Sequence, residues 1–160
     1  MIKILCVGKI KEDYLEKLID DYKKRIGKYI KIEIVELKDF ADYDKEINNL
    51  AKNIKKNDYN IGLDLSGNML TSVEFAKKID EILPKNSNIT FIIGGSLGLN
   101  DEVRSLCDEL ISFSKMTFPH GLFRGILLEQ IYRACKINNH EMYHKWGIME
   151  IERVKNMKVA

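Results

Sequence analysis

Cysteine is scarce in this chain, and its placement argues against a metal site. Three cysteines occur in 160 residues, at Cys6, Cys107 and Cys135. They lie far apart, and their separations do not match the close pairs that ligate a metal ion. Each lies within an apolar pattern, which favours a role as a small core residue. We therefore expect no metal, and a chain of 160 residues can bury a core without one.

Long apolar runs are also absent. No segment approaches the roughly 18 apolar residues that a membrane span needs. The first residues lack the charged and apolar regions of a signal peptide. We therefore expect a protein of the reducing cytoplasm that does not interact with a membrane.

A strong net charge is missing as well. The formal net charge is +2, which neither requires nor excludes a nucleic acid partner. Positive charge is nevertheless concentrated near the start of the chain, a pattern that is typical of a solvated helix face and is also compatible with RNA binding. The basic residues concerned are Lys3, Lys9, Lys11, Lys17, Lys23, Lys24, Arg25, Lys28 and Lys31.

The remaining composition is that of one globular domain. Hydrophobic residues make up 45% of the chain and charged residues 31%, without repeats or linkers. Strand and helix patterns alternate, which predicts an α/β fold with a parallel sheet covered by helices on both faces. The predicted strands are 2–7, 30–37, 60–65, 89–93 and 109–113, and the predicted helices are 11–26, 44–56, 71–83, one that begins at 100 or 101, and 122–137.

Local signals define several boundaries. Thr71 and Glu74 have the spacing of a capping box, which predicts the start of a helix. Residues 66–68, Ser-Gly-Asn, have the composition of a turn. Strand 30–37 alternates apolar and charged residues, so we expect a wet face and a position near the sheet edge. The helix after residue 100 is expected to bury Val103, Leu106 and Cys107.

The most informative stretch is 91–145. The apolar strand 89–93 stops at a glycine turn, and strand 109–113 stops at the loop Ser-Lys-Met-Thr-Phe-Pro-His, residues 114–120. Two parallel strands that end side by side would place both loops at one edge of the sheet, where ligands bind in open α/β folds. The turn does not fit G-x-G-x-x-G, and the chain has no G-x-x-x-x-G-K-[ST] motif, which disfavours a phosphate-rich cofactor.

Four strings in this stretch resemble one known family. They are Phe-Ile-Ile-Gly-Gly-Ser-Leu-Gly (91 to 98), Leu-Ile-Ser-Phe-Ser-Lys-Met-Thr-Phe-Pro-His (110 to 120), Glu-Gln-Ile-Tyr-Arg-Ala (129 to 134) and Tyr-His-Lys (143 to 145). They are similar to the bacterial family that N3-methylates a pseudouridine in the 23S RNA of the large ribosomal subunit, within the SPOUT superfamily. The resemblance covers 1–145. It implies a SPOUT-type fold with a C-terminal trefoil knot, S-adenosyl-L-methionine as cofactor, and a homodimer acting on ribosomal RNA of the large subunit or whole ribosome.

The resemblance also implies site residues. Catalytic or RNA-handling roles fall on His120, Arg133, Tyr143 and His144. Cofactor contacts fall on Leu63, Gly94, Phe113, Ser114, Lys115, Met116, Thr117 and Phe118. S-adenosylmethionine needs an apolar slot for adenine, backbone groups for its edge and room for the sulfonium, and the two loops offer these. Judged without the family, Leu63 is better interpreted as a core residue, and His120 is equally a hydrogen-bonding loop residue.

The last predicted helix is apolar around most of its circumference, so we expect it to be covered on more than its sheet side, most simply by a second subunit. Arg124 lies within this apolar arc, where its guanidinium needs a carboxylate, phosphate or carbonyl partner. Arg133 follows Glu129 by four residues and is expected to form a helix ion pair as an alternative to an RNA-handling role.

The tail and the function leave alternatives open. Residues 146–160 form a C-terminal extension beyond the usual end of the family, and apolar residues at three-residue intervals predict a short amphipathic helix that either packs on the partner subunit or has no role. For the function, a transfer RNA methyltransferase of the same superfamily and a ribosome-binding factor without catalytic activity are the alternatives.

Overall fold

The computed structural model describes residues 1–143, which form five parallel strands and five α-helices. The strands are β1 (Ile2–Val7), β2 (Ile32–Leu37), β3 (Tyr59–Met69), β4 (Ile89–Ile93) and β5 (Glu109–Ser112). The helices are α1 (Asp13–Ile26), α2 (Tyr43–Lys52), α3 (Ser72–Ile82), α4 (Asp101–Ser105) and α5 (His120–Asn138), with a 3-10 turn at Leu83–Lys85. His144 and the predicted extension 146–160 lie outside the described residues.

The sheet is covered on both faces, as the alternating pattern predicted. Neighbouring residues of a strand point to opposite faces. Ile4 of β1 belongs to a core that includes residues of α1, α3 and α5, whereas Leu5 belongs to a second core with residues of α2 and α4. Helix α5 packs against both α1 and α3. In the described part of the chain, no helix is long and apolar enough to span a membrane.

The strand order is β2-β1-β4-β3-β5, and every neighbouring pair is parallel. Strand β2 lies at the edge, and its residues are only partly buried or exposed, which confirms the prediction from its alternation. The expectation that β4 and β5 end side by side was wrong, because β3 lies between them. The trefoil knot stays a prediction, since strand order does not define how the chain threads.

The turn predicted at 66–68 was wrong. Strand β3 continues to Met69, and its pairing with β5 shifts between Leu63 and Asn68, so Leu63 lies at an irregularity within the strand. A Cβ atom on Gly67 would lie 2.6 Å from the backbone nitrogen of Ile111, so glycine is required by close contact between two backbones. The small residues at 66–68 are therefore explained by close packing of β3 against β5 and not by a turn.

Two further local predictions had different outcomes. The capping box is present, since the Thr71 hydroxyl accepts from the Glu74 amide and the Glu74 carboxylate accepts from the Thr71 amide. Helix α4 ends at Ser105, which leaves Leu106 37% exposed, so the prediction that it faces the core was wrong, while Val103 is fully buried. A helix of five residues ends before Leu106 can turn toward the sheet.

Arg124 has the partners that its burial requires. Its side chain is 1% exposed, and it donates to a carboxylate oxygen of Glu36 at 2.8 Å and to the carbonyl oxygen of Gly8 at 3.1 Å. Both partners belong to the same chain, at the ends of β1 and β2. Arg124 therefore connects α5 to the sheet through these two contacts. Its charge is neutralised within one chain, without a partner residue from a second subunit.

Candidate functional site

A cleft lies beyond the carboxyl ends of β4 and β5, beside the irregular middle of β3. The strand order places these three strands next to one another, so residues 63–65 of β3 and the segments that follow β4 and β5 face a common space. The empty space, open solvent included, is about 590 Å³. Its lining consists of Leu63, Asp64, Leu65, Ile93, Gly94, Gly95, Gly98, Ile111, Ser112, Phe113, Ser114, Met116, Thr117, Phe118, His120 and Phe123. We call this space the cofactor cleft.

The glycine turn after β4 presents backbone to the cleft. Gly95 and Gly98 form an isolated antiparallel bridge, and Gly98 has a φ of +73°, a conformation that side chains disfavour. A Cβ atom on Gly94 would lie 2.8 Å from the carbonyl carbon and oxygen of Gly98. The turn is therefore folded back on itself so tightly that only glycine fits at Gly94.

The loop after β5 is held by its own serines. The Ser112 hydroxyl donates to the Ser114 carbonyl at 2.9 Å, and the Ser114 hydroxyl accepts from the Met116 amide at 2.9 Å. These bonds curl the chain around the cleft mouth, so that main-chain groups as well as side chains border it. A ligand in the cleft would meet an ordered backbone edge on this side.

Aromatic side chains also line the cleft. The rings of Phe118 and Phe123 are nearly parallel, with an interplanar angle of 9° and centroids 6.2 Å apart. Phe113 meets Phe123 edge to face at 5.2 Å. Met116 is 75% exposed at the mouth. These side chains provide a flat apolar wall beside a backbone edge, which suits a purine ring.

Comparison with known proteins identifies the kind of protein that has this cleft. Residues 1–144 match the model of a family described as predicted SPOUT methyltransferase. The chain belongs to the SPOUT methyltransferase family. It is 50% identical over 157 residues to proteins named ribosomal RNA large subunit methyltransferase H from Clostridium novyi strain NT and Clostridioides difficile strain 630, with 90% of this chain and 99% of each relative covered.

Solved structures support the fold. A probable methylase family protein from Haemophilus influenzae Rd KW20 superposes with a TM-score of 0.57 at 14% identity. The match covers 90% of this chain and 70% of that chain. The α/β fold predicted from the alternating pattern is therefore confirmed.

The predicted cofactor residues of this SPOUT methyltransferase gather at the cleft. Leu63 is 9% exposed and belongs to the core as well as to the cleft wall, so its core role is confirmed and its contact with the cofactor stays a prediction. Lys115 is exposed, and it does not line the cleft although both of its neighbours do. The cleft brings together Leu63, Gly94, Phe113, Ser114, Met116, Thr117 and Phe118.

The residues predicted to handle RNA are not all in one place. His120 is exposed and lines the cleft at the start of α5. Arg133 lies thirteen positions further along the same helix, a distance of about 20 Å at 1.5 Å per residue. Tyr143 lies beside Arg133, with the guanidinium carbon 4.9 Å from the centre of its ring. One chain by itself therefore does not bring His120 to Arg133 and Tyr143.

Arg133 and Tyr143 share a carboxylate. The predicted helix ion pair is confirmed, with Arg133 2.6 Å from an oxygen of Glu129, and the Tyr143 hydroxyl donates to the same oxygen at 3.3 Å. Burial first, and the charges of Tyr22 and Glu129 next, raise the pKa of Tyr143 to about 12. Tyr143 is therefore a protonated hydrogen-bond donor at neutral pH and a poor base.

Asp64 is a cleft residue that the sequence patterns did not single out. Its carboxylate accepts from the Ser66 hydroxyl and lies 3.3 Å from the Arg104 guanidinium. Burial opposes ionisation, but the hydrogen bonds from Ser66 and Arg104 outweigh it and hold the pKa of Asp64 below its ordinary value. The Asp64 carboxylate is therefore ionised at neutral pH, and the Arg104 guanidinium beside it offsets part of its charge.

Glu46 was also missed, because it lies on a helix whose polar residues are otherwise solvent-facing. It is 9% exposed, and a Cβ atom on Gly95 would lie 2.8 Å from its carboxylate. Within residues 1–143, no group donates a hydrogen bond to this carboxylate. Burial first, and then the charge of Asp39, raise the pKa of Glu46, while His120 opposes the shift.

Replacing Glu46 by glutamine is expected to raise the free energy of unfolding at neutral pH by up to about 1 kcal/mol, because burial disfavours the charged carboxylate and the amide is neutral. A carboxyl with a raised pKa costs stability progressively as pH rises from its unfolded pKa through its folded pKa. The gain should therefore vanish below about pH 4. Urea unfolding of Glu46→Gln at several pH values tests this, with the exposed Glu33→Gln as control. Equal gains in both variants would contradict it.

No group of three or more His, Cys, Asp or Glu side chains is placed to hold a metal ion in the part of the chain that the structure describes. All three cysteines are free thiols, and Cys6 and Cys135 are buried. Burial raises the pKa of Cys135 to about 11, so its thiol stays protonated at neutral pH. It behaves as a small core residue, as its apolar surroundings in the sequence predicted.

Proposed function

We propose that this chain transfers a methyl group from S-adenosyl-L-methionine to N3 of a pseudouridine in 23S ribosomal RNA of the large subunit. The observation that carries the proposal is the cofactor cleft, where backbone and apolar walls from β3 and from the ends of β4 and β5 meet. Near full-length identity of 50% to relatives named for ribosomal RNA large subunit methylation supports the substrate. A ribosomal substrate would place the protein in the cytoplasm.

The residues of the cleft fit the cofactor. Leu63, Met116 and Phe118 provide apolar surface for adenine, and the turn at Gly94 and the backbone of 113–118 provide hydrogen-bonding groups for its edge. Lys115 would contribute through its main chain, since its side chain faces solvent. The carboxylate of Asp64 lies where a positive charge is favoured. When bound, S-adenosylmethionine supplies an electrophilic methyl group on a sulfonium.

The chain's own contribution to the reaction is mainly placement. Holding two reactants in line can lower a barrier by up to roughly 7 to 11 kcal/mol. The nucleophile must also lose its N3 proton, and His120 and Asp64 are the side chains of the cleft lining with a basic atom that can accept it. Tyr143, held protonated, can donate a hydrogen bond to a carbonyl of the base. No step needs a metal ion.

We propose that the active enzyme is a homodimer. His120 lies at one end of α5 and Arg133 at the other, so a second copy that brings its tail to the cleft would complete the set. Exposed apolar side chains near the cleft give such a contact an apolar surface, namely Leu65, Met116 and Leu122, which are 61%, 75% and 38% exposed. His144, next to Tyr143 in sequence, would join the same site.

Labelled methyl transfer tests the proposal. The protein is incubated with labelled S-adenosylmethionine and either large ribosomal subunits, whole ribosomes or transfer RNA. We expect label in 23S RNA, and mass mapping should place it on a pseudouridine. Label in transfer RNA alone would overturn the target. No cofactor binding at millimolar concentration by calorimetry would overturn the enzyme and leave a ribosome-binding factor.

A further inference from the structure

A second cleft, distant from the cofactor cleft, is strongly basic. It lies between the end of α1 and the start of β2, and its empty space, solvent included, is about 870 Å³. Four lysines line it, Lys23, Lys24, Lys28 and Lys31, and Asp20 is the single acidic residue in the lining that the described chain provides. We call it the basic cleft. It contains four of the basic residues that make the start of the sequence positive.

The charges of this cleft are available to a ligand. All four lysines are exposed, and none forms an ion pair within residues 1–143. Lys78, by contrast, is neutralised, because its ammonium nitrogen lies 2.9 Å from a carboxylate oxygen of Glu109. Unpaired lysines that converge on one concave surface create a local positive potential, which attracts a polyanion.

The dipole of α1 accounts for only part of this charge. Lysines in the last turn of a helix offset the partial negative charge of its carbonyl end. Lys23 and Lys24 lie in that turn, whereas Lys28 and Lys31 follow the helix end at Ile26. The helix dipole therefore accounts for Lys23 and Lys24 but not for Lys28 and Lys31.

The basic cleft also contains an aromatic ring that connects it to the tail. Tyr29 lines the cleft, and its hydroxyl donates to the carboxylate of Glu141 at 2.9 Å. Glu141 precedes Tyr143 by two positions and also pairs with Lys136 at 2.6 Å. The basic cleft is therefore continuous with the end of the molecule that holds Arg133 and Tyr143. Lysines beside an aromatic ring are typical of surfaces that track an RNA strand.

We propose that the basic cleft binds the phosphate backbone of the ribosomal RNA flanking the target nucleotide. This inference rests on the proposed function only in taking RNA as the substrate. Phosphates on the lysines would hold the strand beside Tyr143, so that the target base enters the site to which the tail contributes. Recognition of this kind is electrostatic and reads shape and charge more than sequence.

A quadruple variant with Lys23→Gln, Lys24→Gln, Lys28→Gln and Lys31→Gln tests the proposal. Glutamine keeps the helix propensity and most of the length of lysine while removing its charge. The matched control replaces by glutamine four other exposed lysines, which form no ion pair in the described residues and lie on α2 or just after it: Lys45, Lys52, Lys55 and Lys56. Both variants lose the same net charge. Co-sedimentation with large ribosomal subunits between about 50 and 200 mM salt measures binding, and methyl transfer measures KM and kcat.

We expect the basic-cleft variant to bind ribosomal particles roughly tenfold or more weakly at about 0.15 M salt. The slope of log affinity against log salt should fall by about 3, since each phosphate contact to a single strand contributes about 0.7. KM for the particles should rise with kcat and cofactor affinity unchanged, and the control should stay within about twofold of the wild type.

Unchanged binding by the basic-cleft variant, or equal losses in both variants, would overturn the proposal. Equal losses would mean that net charge matters and the location does not. The outcome is separable from that of the proposed function. If the wild type binds particles but transfers no methyl group, the proposed activity fails, and the salt slopes of the two variants still decide whether this surface binds RNA.

Discussion

Glu36→Ala is expected to lower the free energy of unfolding by about 3 kcal/mol, because it leaves the guanidinium of Arg124 buried without its carboxylate. Arg124 is 1% exposed, whereas Glu36 is 34% exposed, so the arginine cannot turn to water when its partner is removed. The Gly8 carbonyl remains as its acceptor but does not neutralise the charge. Urea-induced unfolding of the variant measures the loss.

Glu33→Ala is the matched control for this prediction, because Glu33 is exposed on the same strand. This substitution should lower the free energy of unfolding by less than about 1 kcal/mol. Adding Arg124→Met to Glu36→Ala should recover part of the loss, since the buried charge is then gone. Equal losses in the two alanine variants, or no recovery in the double variant, would show that the ion pair is not what stabilises this junction.

Thr117→Trp is expected to lower the affinity for S-adenosylmethionine more than about 100-fold. Thr117 is exposed and lines the cofactor cleft, so an indole there fills the cleft without disturbing the core. A tenfold loss of affinity corresponds to about 1.4 kcal/mol of binding free energy. Losing most of the apolar contact with adenine costs more than twice that amount, because the buried apolar area is then lost. Calorimetric titration measures the dissociation constant.

The control for the blocked cleft is Ser87→Trp, at an exposed site next to the amino end of β4. Its affinity should equal that of the wild type, and both tryptophan variants should keep a melting temperature within a few degrees of the wild type. Wild-type affinity in Thr117→Trp would place the cofactor elsewhere. A melting temperature that falls only in this variant would mean that loop 113–118 also supports the fold.

Much of the fold follows from residues that act locally. The continuous apolar run of β4 predicts a strand buried on both faces, and all five of its residues are buried. Thr71 and Glu74 define the start of α3 because capping is a contact among four neighbouring residues. The alternation of strand and helix then favours a parallel sheet by general rules of packing.

The failures come from contacts between distant segments. Gly67 has a turn composition around it, but β5 recruits this stretch into β3, and local propensity does not report such pairing. Leu106 follows a helix pattern that stops at Ser105. Strand order also depends on distant pairing, so β3 between β4 and β5 was not foreseen.

In the candidate site too, features set by neighbouring residues were predicted and features set by distant contacts were not. The glycine turn and loop 113–118 follow from strand ends and motifs, and the structure places both at the cofactor cleft. Glu46 is close to Gly95 only because α2 packs under the turn, and no spacing along the sequence signals this. The distance from His120 to Arg133 follows from one straight helix, but a resemblance that names both residues as functional does not reveal it.

The most direct measurement is a crystal structure of the protein with S-adenosylmethionine. We predict that adenine lies against Leu63 and Phe118 with its edge at the backbone of Gly94, and that the methyl group points toward His120. A cofactor bound at another surface, or a cleft closed by the protein's own Met116 and Phe118 side chains, would contradict the account.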